Sequence, residues 1–338
     1  MTNLPESAPI AEFDGELDAE SFAGLREAGQ PVVLRRLVAD WPAVAAASRG
    51  DEAIASYMAQ EPSTRPVKAI AAPPEAGGRF FYTEDLTRLN FNRAQGRLEI
   101  FIRDLITAGE IEDPPAMAVQ SEDIADLLPR FAAENRLYLL PGVRPRIWIG
   151  NRIRVAPHYD LMENIACCVA GRRRFTLFPP EQIANLYPGS FELTPAGTPV
   201  SMVDTAAPDL ERYPRYERAW AVARQATLEP GDAIYIPYCW WHGVESLEPL
   251  SILVNYWWNE GEPEGIGSPY SALLHGILSV RHLPPEKRAV WKTMFDYYVF
   301  EEHGDPVRHL PEQARGLFGA PSPALFARMK EVIRGLLR

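Results

Sequence analysis

His158-Tyr159-Asp160-Leu161-Met162-Glu163-Asn164, together with Gly231-Asp232-Ala233-Ile234-Tyr235-Ile236-Pro237-Tyr238-Cys239-Trp240-Trp241-His242, decides how this chain is read. In an extended strand, residues two apart point to the same face, so His158 and Asp160 can aim an imidazole and a carboxylate at one point. A histidine from a neighbouring strand, His242, would complete two nitrogens and one oxygen on one side of a metal. That donor set is the facial triad of non-haem Fe(II) oxygenases, which leaves coordination positions open. A His-x-Asp pair alone is weak, and His158 taken singly is as well explained as a hydrogen-bonded core histidine. Its context adds weight. Pro157 precedes it at a strand start, and His242 follows a Gly-Asp turn and an apolar strand. His275, His282, His303 and His309 fall in a helical tail and are expected to have surface or core roles.

Around this pair the chain is rich in short strands. Arg146–Ile149, Ile165–Val169, Arg174–Phe178, Ala233–Ile236 and Ser251–Trp257 are apolar runs punctuated by Gly, Pro and Asp. Gly171 is expected to turn the hairpin between the second and third. The pattern predicts a mainly β fold of sandwich or jelly-roll type over residues 141–262. Residues 1–140 read as a mixed α and β segment supporting it. The first 15 or so residues are expected to be loose, and Asp18 to cap a helix carrying Phe22 and Leu25 and closed by Gly29. Pro31–Val38 reads as a strand ended by a Trp41-Pro42 turn. Leu98, Phe101, Ile102, Leu105 and Ile106 have helical spacing, and a shorter helix is expected from Ser121 to just before Pro129. Residues 263–338 are expected to be helical, with stripes at Tyr270 to Leu278 and Trp291 to Tyr298.

At 338 residues the chain can bury a sizeable core. A net charge of -11 argues against nucleic acid or an anionic membrane surface as partner. Cys167, Cys168 and Cys239 have no CxxC spacing and predict neither a disulfide framework nor a zinc site. The first residues show no secretory pattern, and no apolar run is long enough to span a membrane. A cytoplasmic location is expected.

Within the basic run Arg172-Arg173-Arg174, Arg173 shares strand parity with Phe175 and Leu177. A cation facing the interior needs an anionic partner, and a ligand carboxylate would serve. Arg172 and Arg174 are read as a solvated hairpin end. Asn164 and Asn255 sit at the ends of apolar strands, where each suits a hairpin or a ligand contact equally. Trp240-Trp241 and Trp257-Trp258 read as core and cavity wall.

These residues resemble the cupin-like branch of the JmjC oxygenases, the branch that includes the asparaginyl hydroxylase acting on hypoxia-inducible factor. The resemblance rests on His158-Tyr159-Asp160, Asn164, Gly171 to Gln182, Leu186-Tyr187-Pro188, Pro230-Gly231-Asp232, Trp240-Trp241-His242, Glu245-Ser246 and Val254-Asn255-Tyr256-Trp257. Pro31 to Arg35 and Trp41-Pro42 extend it towards the N-terminus. It implies a double-stranded β-helix with Fe(II) held by His158, Asp160 and His242. It further implies 2-oxoglutarate beside the metal, decarboxylated with dioxygen as a C–H bond is hydroxylated, with Asn164 and Asn255 near that co-substrate. Two positions depart from the family pattern. Arg173 stands where the family usually has the lysine that anchors the distal carboxylate of 2-oxoglutarate. Val155 stands where the asparaginyl hydroxylase has threonine. A metal-bearing cupin that binds or isomerises a small molecule without redox chemistry is the alternative. The primary substrate, protein side chain or metabolite, is not legible. For the tail, packing on its own barrel and a two-fold homodimer interface, as in relatives, are both open, and the second is preferred.

Overall fold

The computed structural model describes residues 4–259 and 265–337. Two compact units are distinguished, Met1–Trp258 and Asn259–Arg338. The boundary expected at 262–263 lies outside the described residues. The first unit opens with two short edge strands, β1 (Ala8–Pro9) and β2 (Ala11–Asp14), and then β3 (Val32–Arg35). Among helices follow β4 (Val67–Ala72), β5 (Arg79–Phe80), β6 (Asn92–Gly96) and β7 (Ala116–Asp123). The strand-rich stretch supplies β8 (Pro145–Gly150), β9 (Arg154–His158), β10 (Glu163–Ala170) and β11 (Arg173–Phe178). It continues with β12 (Arg224–Leu228), β13 (Ala233–Ile236), β14 (Trp241–Ser246) and β15 (Ser251–Trp258).

Among the described residues these strands form two sheets, ordered β1-β12-β11-β14-β9-β5 and β2-β3-β13-β10-β15-β8-β7-β4-β6. From β8 to β15 the chain passes repeatedly from one sheet to the other, and the ladders these strands form with one another are antiparallel. That is the jelly-roll arrangement, with a cavity between the inner faces.

The pleat of β10 shows why its sequence is apolar without alternation. Ile165, Cys167 and Val169 face the helical side, in one core with Trp41, Phe101 and Leu105. Ala166 and Cys168 face the opposite way, in a second core with Phe175, Leu177 and Ile236. A strand covered on both faces has no polar side to write into its sequence. Both cysteines are free and buried, and burial pushes the Cys168 thiol up to about 12, as suits inert core residues rather than reactive ones.

The helix over Leu98–Ala108 buries Leu98, Phe101, Ile102 and Leu105, the expected stripe. Asp18 caps Ala19–Glu27 by accepting the Ser21 amide at 2.8 Å. Three local expectations are corrected. Residues 8–14 are not loose: β1 pairs in parallel with β12, β2 pairs in parallel with β3, and Ile10 between them is buried. Short polar edge strands lack the alternation that marks a half-buried strand, so nothing local announces them. Ser121 belongs to β7, at positive φ beside a register shift, with its hydroxyl accepting Arg146 Nε at 2.7 Å. The helix starts later, at Ile124, and Pro129 opens a new turn, Pro129–Glu134, instead of only ending one. Trp41-Pro42 likewise starts a helix, Pro42–Ala47, and the strand before it ends at Arg35, ahead of Arg36 at positive φ.

The second unit holds helices Pro269–Ser279, Pro285–Tyr298 and Pro323–Leu336, the first and last capped by Ser268 and Ser322. No helix among the described residues is long and apolar enough to cross a membrane.

Candidate metal centre and its cavity

β9 ends at His158 and β14 begins with Trp241 and His242, and their antiparallel register sets the two histidines directly opposite each other. Their ring centroids are 4.3 Å apart. Asp160 lies just past the end of β9, and its Oδ2 is 3.5 Å from His242 Nε2. One ligand atom from each residue falls within 4.8 Å of the others, and no other such cluster occurs among the described residues.

The backbone fixes both rings. His158 Nδ1 is 3.0 Å from the Ala156 carbonyl and His242 Nδ1 is 3.0 Å from the Trp240 carbonyl. A carbonyl only accepts, so each Nδ1 carries the hydrogen and donates it, leaving an Nε2 lone pair for a cation. Burial, then the neighbouring His242, push the His158 imidazole below its ordinary value against the opposing pull of Asp160. It is therefore neutral at pH 7, as a ligand must be. Asp160 Oδ2 is buried and accepts no hydrogen bond. Two imidazole nitrogens and an orphaned, buried carboxylate oxygen fit a divalent cation, because a buried carboxylate oxygen without a partner is otherwise costly.

The cluster opens into a cavity of about 340 Å³. Arg173 lines the same cavity from β11. Leu177 of that strand lies opposite His242 and Arg173 opposite Ser246, four positions along the ladder. At ~3.3 Å per residue that is roughly 13 Å. Arg173 is 4% exposed, while Arg172 and Arg174 pair with Glu248 and Glu245 at the surface. No carboxylate pairs with Arg173 among the described residues. Its Nε donates to Ser251 Oγ at 2.8 Å, and its Nη2 is buried without a partner. Burial pushes the guanidinium down to about 10, which leaves it charged at pH 7.

Between these two ends, Asn255 Nδ2 donates to Asn164 Oδ1 at 3.1 Å, and Asn255 Oδ1 has no partner. Trp148 and Trp257 meet edge to face at 5.8 Å, and both indole N–H groups are buried and unpaired. Val155, opposite Val244, adds apolar wall. The structure thus brings His158, Asp160, His242, Arg173, Asn164 and Asn255 to one cavity, and of the four paired tryptophans only Trp257 lines it. Sequence reasoning passes over Ser251, Trp148, Gln120 and Ser121. Ser251 does share the parity of Asn255 along β15, a usable sign once Asn255 is known to face inward.

A model of the cupin-like domain matches residues 18–263. The chain belongs to that family. Its relatives include a Jumonji C domain-containing protein and a lysyl hydroxylase. HSPB1-associated protein 1 of Rattus norvegicus is 36% identical over 118 residues, 34% of this chain and 24% of that protein. Jumonji C domain-containing protein 5 of Drosophila melanogaster is 28% identical over 268 residues, 76% of this chain and 62% of that protein. The bifunctional peptidase and (3S)-lysyl hydroxylase JMJD7 of Homo sapiens is 27% identical over 266 residues, 68% of this chain and 77% of that protein. This cupin-like chain therefore spans about a quarter of the length of the first relative.

Proposed function

We propose that this chain is an Fe(II)- and 2-oxoglutarate-dependent dioxygenase that hydroxylates a protein side chain or a small molecule. The observation that carries the reading is the buried, carboxylate-free guanidinium of Arg173 in the same cavity as the three-residue cluster. A ligand with one end on a metal and a carboxylate at the other satisfies both ends, and 2-oxoglutarate is such a ligand. The hydroxylase among the relatives supports the same reading. A non-redox metal cupin needs no cation at the far end and leaves Arg173 unexplained.

His158 Nε2, Asp160 and His242 Nε2 would hold the Fe(II). When bound, iron and 2-oxoglutarate supply the dioxygen chemistry that places one oxygen atom in a C–H bond. The chain's own contributions are positional. The two carbonyls behind the histidines keep their rings aimed. Arg173 grips the distal carboxylate with parallel N–H donors, where lysine would offer a point charge. The Asn164–Asn255 pair presents a free amide oxygen beside the co-substrate, and Val155, Phe175 and Leu253 keep bulk water from it.

The test is iron-dependent consumption of 2-oxoglutarate without added substrate, with succinate as product. Turnover in wild type and none in Asp160→Ala is expected. An iron-loaded protein that neither binds nor consumes 2-oxoglutarate would favour the non-redox cupin. A cytoplasmic setting and a homodimer complete the reading. The helices of the second unit carry exposed Leu274, Leu278, Trp291 and Tyr298, surface suited to a two-fold contact. Light scattering over a dilution series is expected to give the dimer mass at tens of micromolar, and a monomer mass there would remove the dimer.

A further inference from the structure

The far end of the cavity holds a second feature. Arg173 Nε is the donor that a side-on carboxylate would use together with Nη2, yet it is already committed to Ser251 Oγ at 2.8 Å. Ser251 is fully buried at the first position of β15, and its cross-strand partner is Gly150. The turn between β10 and β11 packs onto the same point. Gly171 sits at φ +67, and a Cβ there would lie 2.5 Å from the Leu250 carbonyl oxygen and 3.2 Å from Ser251 Cα. Only a residue without Cβ fits that approach. Leu247 N donates to the Arg172 carbonyl at 3.0 Å and ties the two chain segments again. Arg173, two residues after Gly171, therefore starts from a backbone fixed against the residue that receives its Nε–H.

We infer that Ser251 is a positioning residue for the co-substrate: by holding Arg173 Nε it turns the end-on pair Nη1 and Nη2 towards the cavity to receive the distal carboxylate. A guanidinium is planar, so fixing one N–H and the backbone behind it fixes where the other donors point. Without the Ser251 hydroxyl, the buried Nε–H loses its only acceptor among the described residues. The fork then has reason to rotate and use Nε in place of Nη2. This inference rests on the proposed 2-oxoglutarate dependence.

The experiment compares two probes, 2-oxoglutarate and 2-oxopentanoate, which has the same chain length and a methyl group where the distal carboxylate would be. Each is titrated calorimetrically and anaerobically into Fe(II)-loaded wild type, Ser251→Ala and Ser251→Thr, with metal content and thermal midpoint measured alongside. In Ser251→Ala, 2-oxoglutarate affinity is expected to fall about ten-fold, in line with a hydrogen bond to a charged group. Affinity for 2-oxopentanoate and metal content should hold, and Ser251→Thr should restore 2-oxoglutarate binding. Unchanged preference for 2-oxoglutarate over 2-oxopentanoate in Ser251→Ala, with wild type binding 2-oxoglutarate, overturns the inference and spares the co-substrate reading. An equal loss for both probes also overturns it, because a general disturbance of the barrel does not discriminate by carboxylate. Wild type that binds neither probe removes the co-substrate reading itself.

Discussion

The two ends of the cavity are built by different means. At the metal end, His158 and His242 face each other across one ladder, and each ring is pinned by a carbonyl two residues earlier in its own chain. The geometry there is local, fixed by strand register and backbone. At the far end Arg173 is held by a serine 78 residues away and by the close approach of the Gly171 turn to Leu250 and Ser251. One end is a set of lone pairs and a carboxylate short of a cation; the other is a cation short of an anion. A protein that folds with two opposite unmet charges in one cavity is arranged for ligands that supply both, since each alone is an expense to the folded state.

The contrast is broken most forcefully at the metal end. Asp160→Ala removes the one anionic donor, and His158→Ala or His242→Ala removes a nitrogen. Changing merely an outer partner of a metal ligand commonly costs 10–100-fold in affinity, so loss of a ligand is expected to exceed about 100-fold and abolish turnover. Iron content after dialysis and anaerobic titration measure it. Full occupancy in the His158→Ala/His242→Ala double variant would dismiss this cluster as the metal site.

A change at the far end should separate the two. Arg173→Ala is expected to weaken 2-oxoglutarate by ~2–5 kcal/mol, the usual cost of truncating one partner of a buried charge pair. Iron binding should stay near wild type, because the donors sit roughly 13 Å along the ladder. Equal 2-oxoglutarate affinity in wild type and variant would move the anchor to another group. Falling iron affinity in Arg173→Ala would show that the two ends are not independent.

Legibility in the sequence follows the same division. The metal end can be read because period-two parity and a short motif place His158 and Asp160 together, and an apolar strand delivers His242. Arg173 is legible through its parity with Phe175 and Leu177. The Ser251 contact is not, because a serine at the start of an apolar strand looks the same whether its hydroxyl meets solvent, backbone or a guanidinium. The jelly roll is visible in the short strands from Pro145 onward, and the edge strands β1, β2 and β6 are not. Asn92–Gly96 is exposed along its whole length, so its partner β4 and not its side chains makes it a strand. The helix start expected at Ser121 is displaced to Ile124 for a related reason: a bulge at positive φ in β7 goes with Arg146 holding Ser121, a contact 25 residues distant.

The smallest expected effect is on stability, and it runs against function. Burial has lowered the affinity of Arg173 for its proton, to about 10. For a base, a lowered native value means that the unfolded chain binds the proton more tightly. Stability then rises only as pH climbs through 10 towards the ordinary arginine range, and at pH 7 the whole penalty is present. Arg173→Met replaces that cation by a flexible apolar side chain in a cavity whose walls include Phe175 and Leu253. Ligand-free Arg173→Met is expected to be more stable than ligand-free wild type by ~1–2 kcal/mol, the lower part of the range for exchanging buried ionic groups for apolar ones. The gain stays at that level because Ser251 loses its donor and methionine fills less of the space. Adding 2-oxoglutarate at a hundred times its wild-type dissociation constant should stabilise iron-loaded wild type by ~2.7 kcal/mol and the variant by less than about 1 kcal/mol, which narrows or reverses the difference between them. Urea denaturation of both proteins, with and without the ligand, reads all four values. A ligand-free variant less stable than wild type would mean that Arg173 is held for the fold itself, and the far end would lose its standing as a site waiting for an anion.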